Sequence, residues 1–135
     1  MSGYKLSSNS LNKLSKCRGL LQEVVKTAIR ISEVDFAVGE TERTIEQQEK
    51  LVANGKSKTM KSRHIRREED LFGVHAVDLF AWVDGEVSWE MRHYKKIAKA
   101  MFRSAIMHGV QVEWGGHWTS LEDGPHFQLS RKDYP

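Results

Sequence analysis

The sequence predicts an α+β fold: a small, mostly antiparallel sheet with helices packed on one of its faces, in a single domain spanning residues 1–135. Three observations support this prediction. The chain has 135 residues, which suits one compact domain that can fold without a disulfide or a structural metal. Stretches with apolar residues at helical spacing are interspersed with short strand-like runs. The order of these elements does not require parallel strands, which favours α+β.

Three stretches are predicted to form helices, the first and the third because their apolar residues recur at helical spacing. They are residues 10–32, 44–53 and 88–108. Ser10 is a candidate N-terminal cap of the first helix. Asn54 and Gly55 end the second helix and Gly109 ends the third, because these residue types tolerate the backbone conformation that closes a helix.

Four short runs are predicted to form strands because they are apolar or alternate apolar with polar residues. They are residues 35–39, 75–83, 110–114 and 125–130. Asp84 and Gly85 form a turn signal after the second run, and Gly115 and Gly116 end the third strand.

Residues 56–70 are predicted to form a long exposed loop, a feature that is often functional in a compact domain. The basic residues of this segment are Lys56, Lys58, Lys61, Arg63, Arg66 and Arg67, and the acidic ones are Glu68, Glu69 and Asp70. The segment fits a solvated loop, attraction to an anionic wall or membrane polymer, or nucleic-acid binding. No aromatic residue is interleaved with the basic ones, which disfavours nucleic-acid binding.

Composition excludes several classes of protein. Lys and Arg number 21 against 18 Asp and Glu, a formal net charge of +3 that favours anionic partners without selecting one. The single Cys17 forms neither an internal disulfide nor a cysteine-rich zinc site, and we predict that it is buried. No apolar run is long enough for membrane insertion. The segment from Met1 to Ser8 lacks the apolar core of a signal peptide, so we expect synthesis in a cytoplasm.

Two predicted strands each present one candidate metal ligand on the face opposite to their apolar side chains. The alternating sets are Val77, Asp78 and Leu79 in one strand and His126, Phe127 and Leu129 in the other. A carboxylate and an imidazole on neighbouring strands are ligands that suit Zn²⁺. A third ligand is available from His64, at the edge of the preceding loop.

Two separated motifs resemble those of the VanY-like D-Ala-D-Ala metallopeptidases. The first joins Ser62-Arg63-His64 to Gly73-Val74-His75-Ala76-Val77-Asp78, and the second is Asp123-Gly124-Pro125-His126-Phe127. They resemble the family's S-x-H…G-x-A-x-D motif and its closing D-x-x-H strand. Trp114-Gly115-Gly116 and Val87-Ser88-Trp89 look like segments of phage and prophage members. Gly39 to Thr44 looks like a degenerate form of the family's G-x-R-[ST] segment. The resemblance covers about residues 35–129.

The resemblance implies a hedgehog/D-Ala-D-Ala peptidase-like fold and a bound Zn²⁺. It implies that His64, Asp78 and His126 are the zinc ligands. It also implies that Asp123 is the general base, which later protonates the leaving amine, and that Arg43 holds the carbonyl oxygen of the substrate. Zinc chemistry agrees with these roles, because a carboxylate near the ion can take a proton from water and a guanidinium favours developing negative charge.

This chain departs from the family pattern in ways that leave alternatives open. The segment between His64 and Asp78 is longer than in the motif, largely through residues 66–71, so His75 is an alternative first ligand. We favour His64, because His75 lies three residues before Asp78 on the same strand and should face the opposite way. His117 stands where relatives carry Asp, and it either supports the site, faces substrate or is a plain loop histidine. Glu122 is an alternative base.

Three tryptophans are candidates for walls of the substrate cleft or for core packing: Trp82, Trp114 and Trp118. Core packing is the more common use of a large aromatic residue and is favoured for Trp82. Trp118 lies in a glycine-rich loop, where a role in binding a peptide stem or a sugar is favoured.

The resemblance implies a zinc peptidase that hydrolyses peptide bonds in peptidoglycan stems, of the phage endolysin type, with an L-Ala–D-Glu endopeptidase favoured. The alternatives are a D-Ala-D-Ala carboxypeptidase, a catalytically inactive relative that keeps zinc, and a small basic nucleic-acid-binding protein. We expect stem peptides as partners, with no nucleic acid and no membrane insertion, and a monomer. Such a protein would be made in the host cytoplasm and would act at the periplasm or cell wall after release.

Overall fold

A computed structural model describes residues 3–57, 60–118 and 122–135. The elements are α1 (Ser8–Leu14), α2 (Gly19–Ile31), β1 (Asp35–Val38), α3 (Ile45–Ala53), β2 (Ala76–Val83), β3 (Glu86–Ser88), α4 (Met91–His108), β4 (Val112–Trp114) and β5 (His126–Leu129). A short 3₁₀ turn, Gly115–His117, follows β4. The predicted α+β class is confirmed. Within the described ranges, no helix combines the length and apolar character that a bilayer crossing requires.

The sheet is antiparallel throughout and is built around β2. Its strand order is β1-β2-β5-β4, and β3 also pairs with β2. The turn between β2 and β3 is the predicted Asp84-Gly85 pair, in which both residues have positive φ, at 53° and 82°. Such a two-residue turn matches the twist of a hairpin. The register places Asp78 of β2 directly opposite His126 of β5.

One face of the sheet forms the hydrophobic core with α2 and α4. The apolar residues predicted to share this face, Val77 and Leu79 of β2 and Phe127 and Leu129 of β5, are all fully buried. The Ser104 hydroxyl of α4 donates to the carbonyl of Val24 in α2, at 2.6 Å, and ties the two helices together. The alternation of the strands therefore leaves Asp78 and His126 on the other face.

The single helix predicted over residues 10–32 is wrong, because the chain leaves the helical path between α1 and α2. There Val74 N–H donates to the Lys16 carbonyl and Arg18 N–H donates to the Val74 carbonyl, each at 3.0 Å. These bonds pair the backbone around Val74, which a continuous helix would leave unpaired. Ser7 caps α1, whereas Ser10 lies inside it and accepts from Val38 N–H. Cys17 lies at this bridge and is buried, as predicted.

The prediction of an exposed loop over residues 56–70 holds for Arg66, Glu68 and Glu69 but is wrong at three other positions of its second half. Arg63, His64 and Asp70 are each less than 5% exposed. Arg67 holds Asp70 through two side-chain bonds at 3.0 and 2.7 Å, which folds the acidic end of the segment back onto the basic one. Lys58 of the predicted basic cluster lies outside the described residues.

The long helix begins later than predicted because Ser88 belongs to β3, a strand that the sequence prediction lacked. The helix itself runs from Met91 to His108 and ends at Gly109, whose φ of 67° is the left-handed conformation expected of a closing glycine. The Ser88 hydroxyl contacts the His93 ring at 2.6 Å and fixes the entry into α4.

Candidate metal centre

His64, Asp78 and His126 meet on the face of the sheet opposite to the core. Asp78 and His126 are cross-strand neighbours, and His64 comes from the segment before β2. His64 Nε2 lies 3.1 Å from Asp78 Oδ1 and 3.1 Å from His126 Nδ1. His126 Nδ1 lies 3.4 Å from Asp78 Oδ1. The three atoms form a nearly equilateral triangle.

This triangle has the dimensions that a tetrahedral zinc site needs. Bonds of about 2.0–2.1 Å to a central ion place neighbouring ligand atoms roughly 3.3–3.4 Å apart. The two imidazoles and the carboxylate of the triangle are also donors that Zn²⁺ accepts, and three protein ligands leave a fourth position open. The residues therefore fit such an ion.

The outer nitrogens of the two histidines fix which ring nitrogen faces the triangle. His64 Nδ1–H donates to the Thr41 carbonyl at 2.7 Å. His126 Nε2–H donates to the Gln128 side-chain oxygen at 2.8 Å. In the neutral form of each ring, the nitrogen facing the triangle therefore carries a lone pair rather than a proton. Two lone pairs and a carboxylate oxygen converge, an arrangement that attracts a cation.

The charges of the centre support the same conclusion. Burial by itself would raise the pKa of Asp78, but hydrogen bonds and the charges of His126 and His64 outweigh burial and hold that pKa well below its usual range. Burial would lower the pKa of His126, yet its contact with Asp78 raises that pKa. The centre thus keeps an ionised carboxylate and draws positive charge towards itself.

Asp123 lies beside the centre in the turn that leads into β5. Its N–H donates to the Gly115 carbonyl at 3.0 Å, and its carbonyl accepts from His126 N–H at 3.3 Å. The approach to Gly115 is so close that an added Cβ would lie 2.4 Å from the Asp123 carbonyl oxygen. Burial, followed by the charge of Asp78, raises the pKa of the Asp123 carboxyl. A carboxyl with a raised pKa suits proton transfer near neutral pH.

Arg43 is buried in the wall of the same cleft, and its guanidinium is held firmly. Nε and Nη2 donate to the two carboxylate oxygens of Glu40, each at 2.9 Å, and Nη1 donates to Gln48 at 2.6 Å. The side-chain bond to Arg43 lowers the pKa of Glu40. The backbone N–H of Arg43 donates to the His64 carbonyl at 2.7 Å, which joins this wall to the first member of the triangle.

The triangle, Asp123, Arg43 and Trp118 all line one cleft of about 540 Å³. Sequence reasoning missed several further lining residues, among them Glu113, Gln128 and Arg131. Gln128 donates to Glu113 at 3.3 Å, and Glu113 also accepts from the Arg131 backbone at 3.0 Å. The alternation that singled out His126 also placed Gln128 on the same face, and this was the available signal.

Three residues proposed from the sequence as substrate-facing or supporting lie away from the cleft lining. His75 is buried against Arg63 and Asp70, and burial lowers its pKa. His117 is exposed and stacks on Phe102, with ring centroids 5.8 Å apart. Trp114 is buried, and its indole N–H donates to the Gly124 carbonyl at 2.7 Å.

The remaining aromatic and acidic candidates differ in position. Trp118 lines the cleft, and its ring centroid lies 4.9 Å from that of His126. Trp82 is 44% exposed on the outer face of β2 and belongs neither to the core nor to the cleft lining. Glu122 is exposed.

The chain is similar to proteins of known activity over almost its whole length. The Serratia marcescens L-Ala D-Glu endopeptidase ChiX has the same fold, with a TM-score of 0.86 and 41% identity, covering 98% of this chain and 95% of that one. An L-alanyl-D-glutamate peptidase of Escherichia phage T5 is 26% identical over 135 residues, covering 97% of this chain and 93% of the relative. An L-alanyl-D-glutamate peptidase of Listeria phage A118 is 28% identical, covering 94% of this chain and 43% of the relative.

The resemblance drawn from the motifs is thereby confirmed and made narrower. Residues 1–131 match the family described as phage L-alanyl-D-glutamate peptidase, and the chain belongs to that family.

Proposed function

We propose that this protein is a metal-dependent endopeptidase that cleaves the bond between L-Ala and D-Glu in the stem peptides of peptidoglycan. The main support for this proposal is the triangle of His64, Asp78 and His126, which lines the same cleft as Asp123. Membership of the family and the activity for which three relatives are named indicate which bond is cut.

We assign the ion as Zn²⁺, held by His64, Asp78 and His126. When bound, such an ion lowers the pKa of water and polarises a carbonyl group. Two imidazoles and one carboxylate suit zinc better than magnesium or calcium, which prefer all-oxygen sites. The metal's identity is a proposal whose test is the metal content of the purified protein.

The remaining chemistry belongs to the side chains of the cleft. In this proposal Asp123 accepts a proton from the attacking water at its carboxylate and delivers it to the nitrogen of the departing D-Glu. Arg43 stabilises the negative charge that develops on the oxygen of the scissile carbonyl. Glu40 and Gln48 hold the guanidinium in one orientation, so little order is lost when the substrate arrives.

The other predicted functions have less support. Cleavage of a terminal D-Ala is the alternative within the same chemistry, but the relatives are named for the L-Ala–D-Glu bond. A nucleic-acid surface would need free basic groups, whereas Arg63 is buried and Arg67 is paired with Asp70. We further propose that residues 1–135 form one peptidase domain that acts as a monomer on the host wall after release from the host cytoplasm. Sedimentation and fractionation of infected cells test those two statements.

The deciding experiment compares the parent protein with three variants on purified peptidoglycan. Asp123→Asn is expected to keep one metal ion per chain and to lose activity by about a hundredfold or more, because proton transfer is removed while the ligands remain. His126→Ala is expected to lose both metal and activity. His117→Ala, an exposed histidine off the cleft, is the matched control and should keep both.

The products identify the bond. Mass spectrometry should find new amino termini on D-Glu. Release of D-Ala alone would establish a carboxypeptidase instead. Full activity in protein freed of metal, or in Asp123→Asn, would contradict the proposed mechanism.

A further inference from the structure

Three aromatic side chains form a strip on the outer face of the sheet, which we call the aromatic strip: Phe80, Trp82 and Trp89. Trp82 is 44% and Trp89 is 69% exposed, which is unusual for the largest apolar side chains. The Phe80 and Trp89 rings meet edge to face, with centroids 5.4 Å apart. The core does not use these rings, and none of them lines the cleft.

The aromatic strip continues the line of the metal centre along β2. Asp78, Phe80 and Trp82 are every second residue of this strand, so their side chains lie on the same face. At a rise of about 3.4 Å per residue, the backbone of Phe80 lies about 7 Å from that of Asp78, and the backbone of Trp82 lies about 14 Å from it. A ligand fixed at the metal centre can therefore extend onto the strip without turning.

The neighbouring strand leaves room for a ligand above the strip. Opposite Phe80 stands Ala37, and Gly39 follows at the end of β1. An added Cβ on Gly39 would lie only 1.9 Å from the Phe80 ring, so the ring rests directly against that backbone. The Phe80 ring thus lies low against β1 and leaves the strip open to solvent on its outer side.

We propose that the aromatic strip binds the glycan strand of peptidoglycan while the stem peptide occupies the cleft. This inference rests on the proposed function and adds the second half of the substrate. In peptidoglycan, L-Ala is joined to an amino sugar through a lactyl group. Two extended units of roughly 3.5 Å each separate the sugar ring from the carbonyl to be cut. The sugar must therefore lie about 7 Å from the metal centre, where the strip begins.

The chemistry of the strip fits a sugar better than the alternatives. A sugar ring presents an apolar face of C–H groups, which stacks on aromatic rings, and hydroxyl groups, which donate hydrogen bonds. The Asp35 carboxylate, opposite Trp82 in the ladder, supplies an acceptor beside the strip. Two exposed basic side chains, Lys56 and Arg131, line the cleft and can pair with the carboxylates of the stem. The aromatic strip consists of uncharged rings, which suits the neutral sugars.

The test uses two substrates that differ only in the sugar. One is the stem peptide whose amino terminus carries the lactyl group alone, which we call the free peptide, and the other is the same lactyl peptide attached to its disaccharide. Trp82→Ala and Trp89→Ala are expected to lower kcat/KM roughly three- to tenfold on the sugar-bearing substrate, as stacking losses of that size do. The rate on the free peptide should stay unchanged. Phe72→Ala removes another aromatic residue, 77% exposed and outside the strip, and is the matched control.

Binding to glycan strands stripped of their stems separates this inference from the proposed function. The parent should sediment with such strands, and Trp82→Ala should do so at least threefold less. The inference is overturned if the two tryptophan variants affect both substrates equally or neither. It is also overturned if Trp82→Ala instead dissolves a dimer, because a second copy then covers the strip. If the parent hydrolyses neither substrate, that result contradicts the proposed function and not the binding of glycan strands.

Discussion

At the scale of single residues, Gln128 decides how His126 faces the metal centre. Its side-chain oxygen accepts from His126 Nε2–H, which leaves Nδ1 for the ion. Partners of this kind usually contribute 10- to 100-fold in metal affinity, because they fix both ring orientation and tautomer.

We therefore expect Gln128→Ala to weaken metal affinity roughly 10- to 100-fold while the chain stays folded. Competition against a chromophoric chelator measures the affinity, and circular dichroism checks the fold. Gln111→Ala removes an exposed glutamine and should leave the affinity unchanged. An unaltered affinity in Gln128→Ala would show that His126 is oriented by its strand alone.

Asp123, the proposed base, also affects stability at the same scale. Burial and the nearby charge of Asp78 raise its pKa, so the folded, metal-free protein binds this proton more tightly than the unfolded chain does. The stability of the metal-free protein therefore falls as the pH rises through the raised pKa.

Asparagine cannot ionise, so metal-free Asp123→Asn should melt at a higher temperature than the parent at pH 7. The difference should vanish below the unfolded pKa of about 3.9. Thermal melts over a pH series in the presence of a chelator measure it. Asp133→Asn, at an exposed aspartate, is the control. Equal melting temperatures of Asp123→Asn and the parent at pH 7 would mean that the ionised carboxylate is not penalised by its surroundings.

Side-chain alternation and the family motifs together predicted most of the site from the sequence. Period-two alternation placed Asp78 and His126 opposite to the apolar residues. It could not supply Glu113 or Arg131, because their positions depend on the register of β4 against β5. Register is set by packing of the whole sheet, which a local pattern does not contain.

At the scale of elements, Gly115 controls the turn that carries Asp123. Gly115→Ala is expected to lower kcat roughly 10- to 100-fold and metal content less, because the new methyl group would lie 2.4 Å from the Asp123 carbonyl oxygen but 3.1 Å from Cβ of His126. Steady-state kinetics with metal analysis measure both. Gly19→Ala, where a Cβ meets nothing within 4 Å, is the matched control. Normal kcat in Gly115→Ala would show that the turn yields without moving Asp123.

The elements themselves were predictable except where distant backbone competes with local preference. Residues 10–32 have a helical apolar pattern over their whole length, yet Val74 breaks it by pairing with Lys16 and Arg18. That partner lies more than fifty positions away in the chain, so no local window contains it. The same holds for β3, whose three residues form a strand only because β2 offers an edge.

At the scale of the whole molecule, the proposed metal ion would join three distant parts of the chain. His64, Asp78 and His126 meet only in the folded state, so an ion that binds them stabilises that state.

Zinc at a hundred times its dissociation constant should stabilise the fold by about 2.7 kcal/mol, and chelation should remove this gain. Thermal denaturation at several zinc concentrations measures the shift. His64→Ala should abolish the dependence on zinc, whereas His117→Ala should keep it. A melting temperature of the parent that does not change with zinc concentration would contradict the proposed ligands.

The pairing of β2 with β5 has a last consequence, for how this protein tolerates change. In this pairing Asp78 stands opposite His126, and the next residue of each strand is core. One inserted or deleted residue in β5 would exchange the two faces, so His126 would turn inward and Phe127 outward. An insertion or deletion in β5 cannot yield a folded but inactive protein, because the change that removes the ligand also exposes the core. We expect laboratory selections to recover active single-residue insertions near the Asp84-Gly85 hairpin and none within β5.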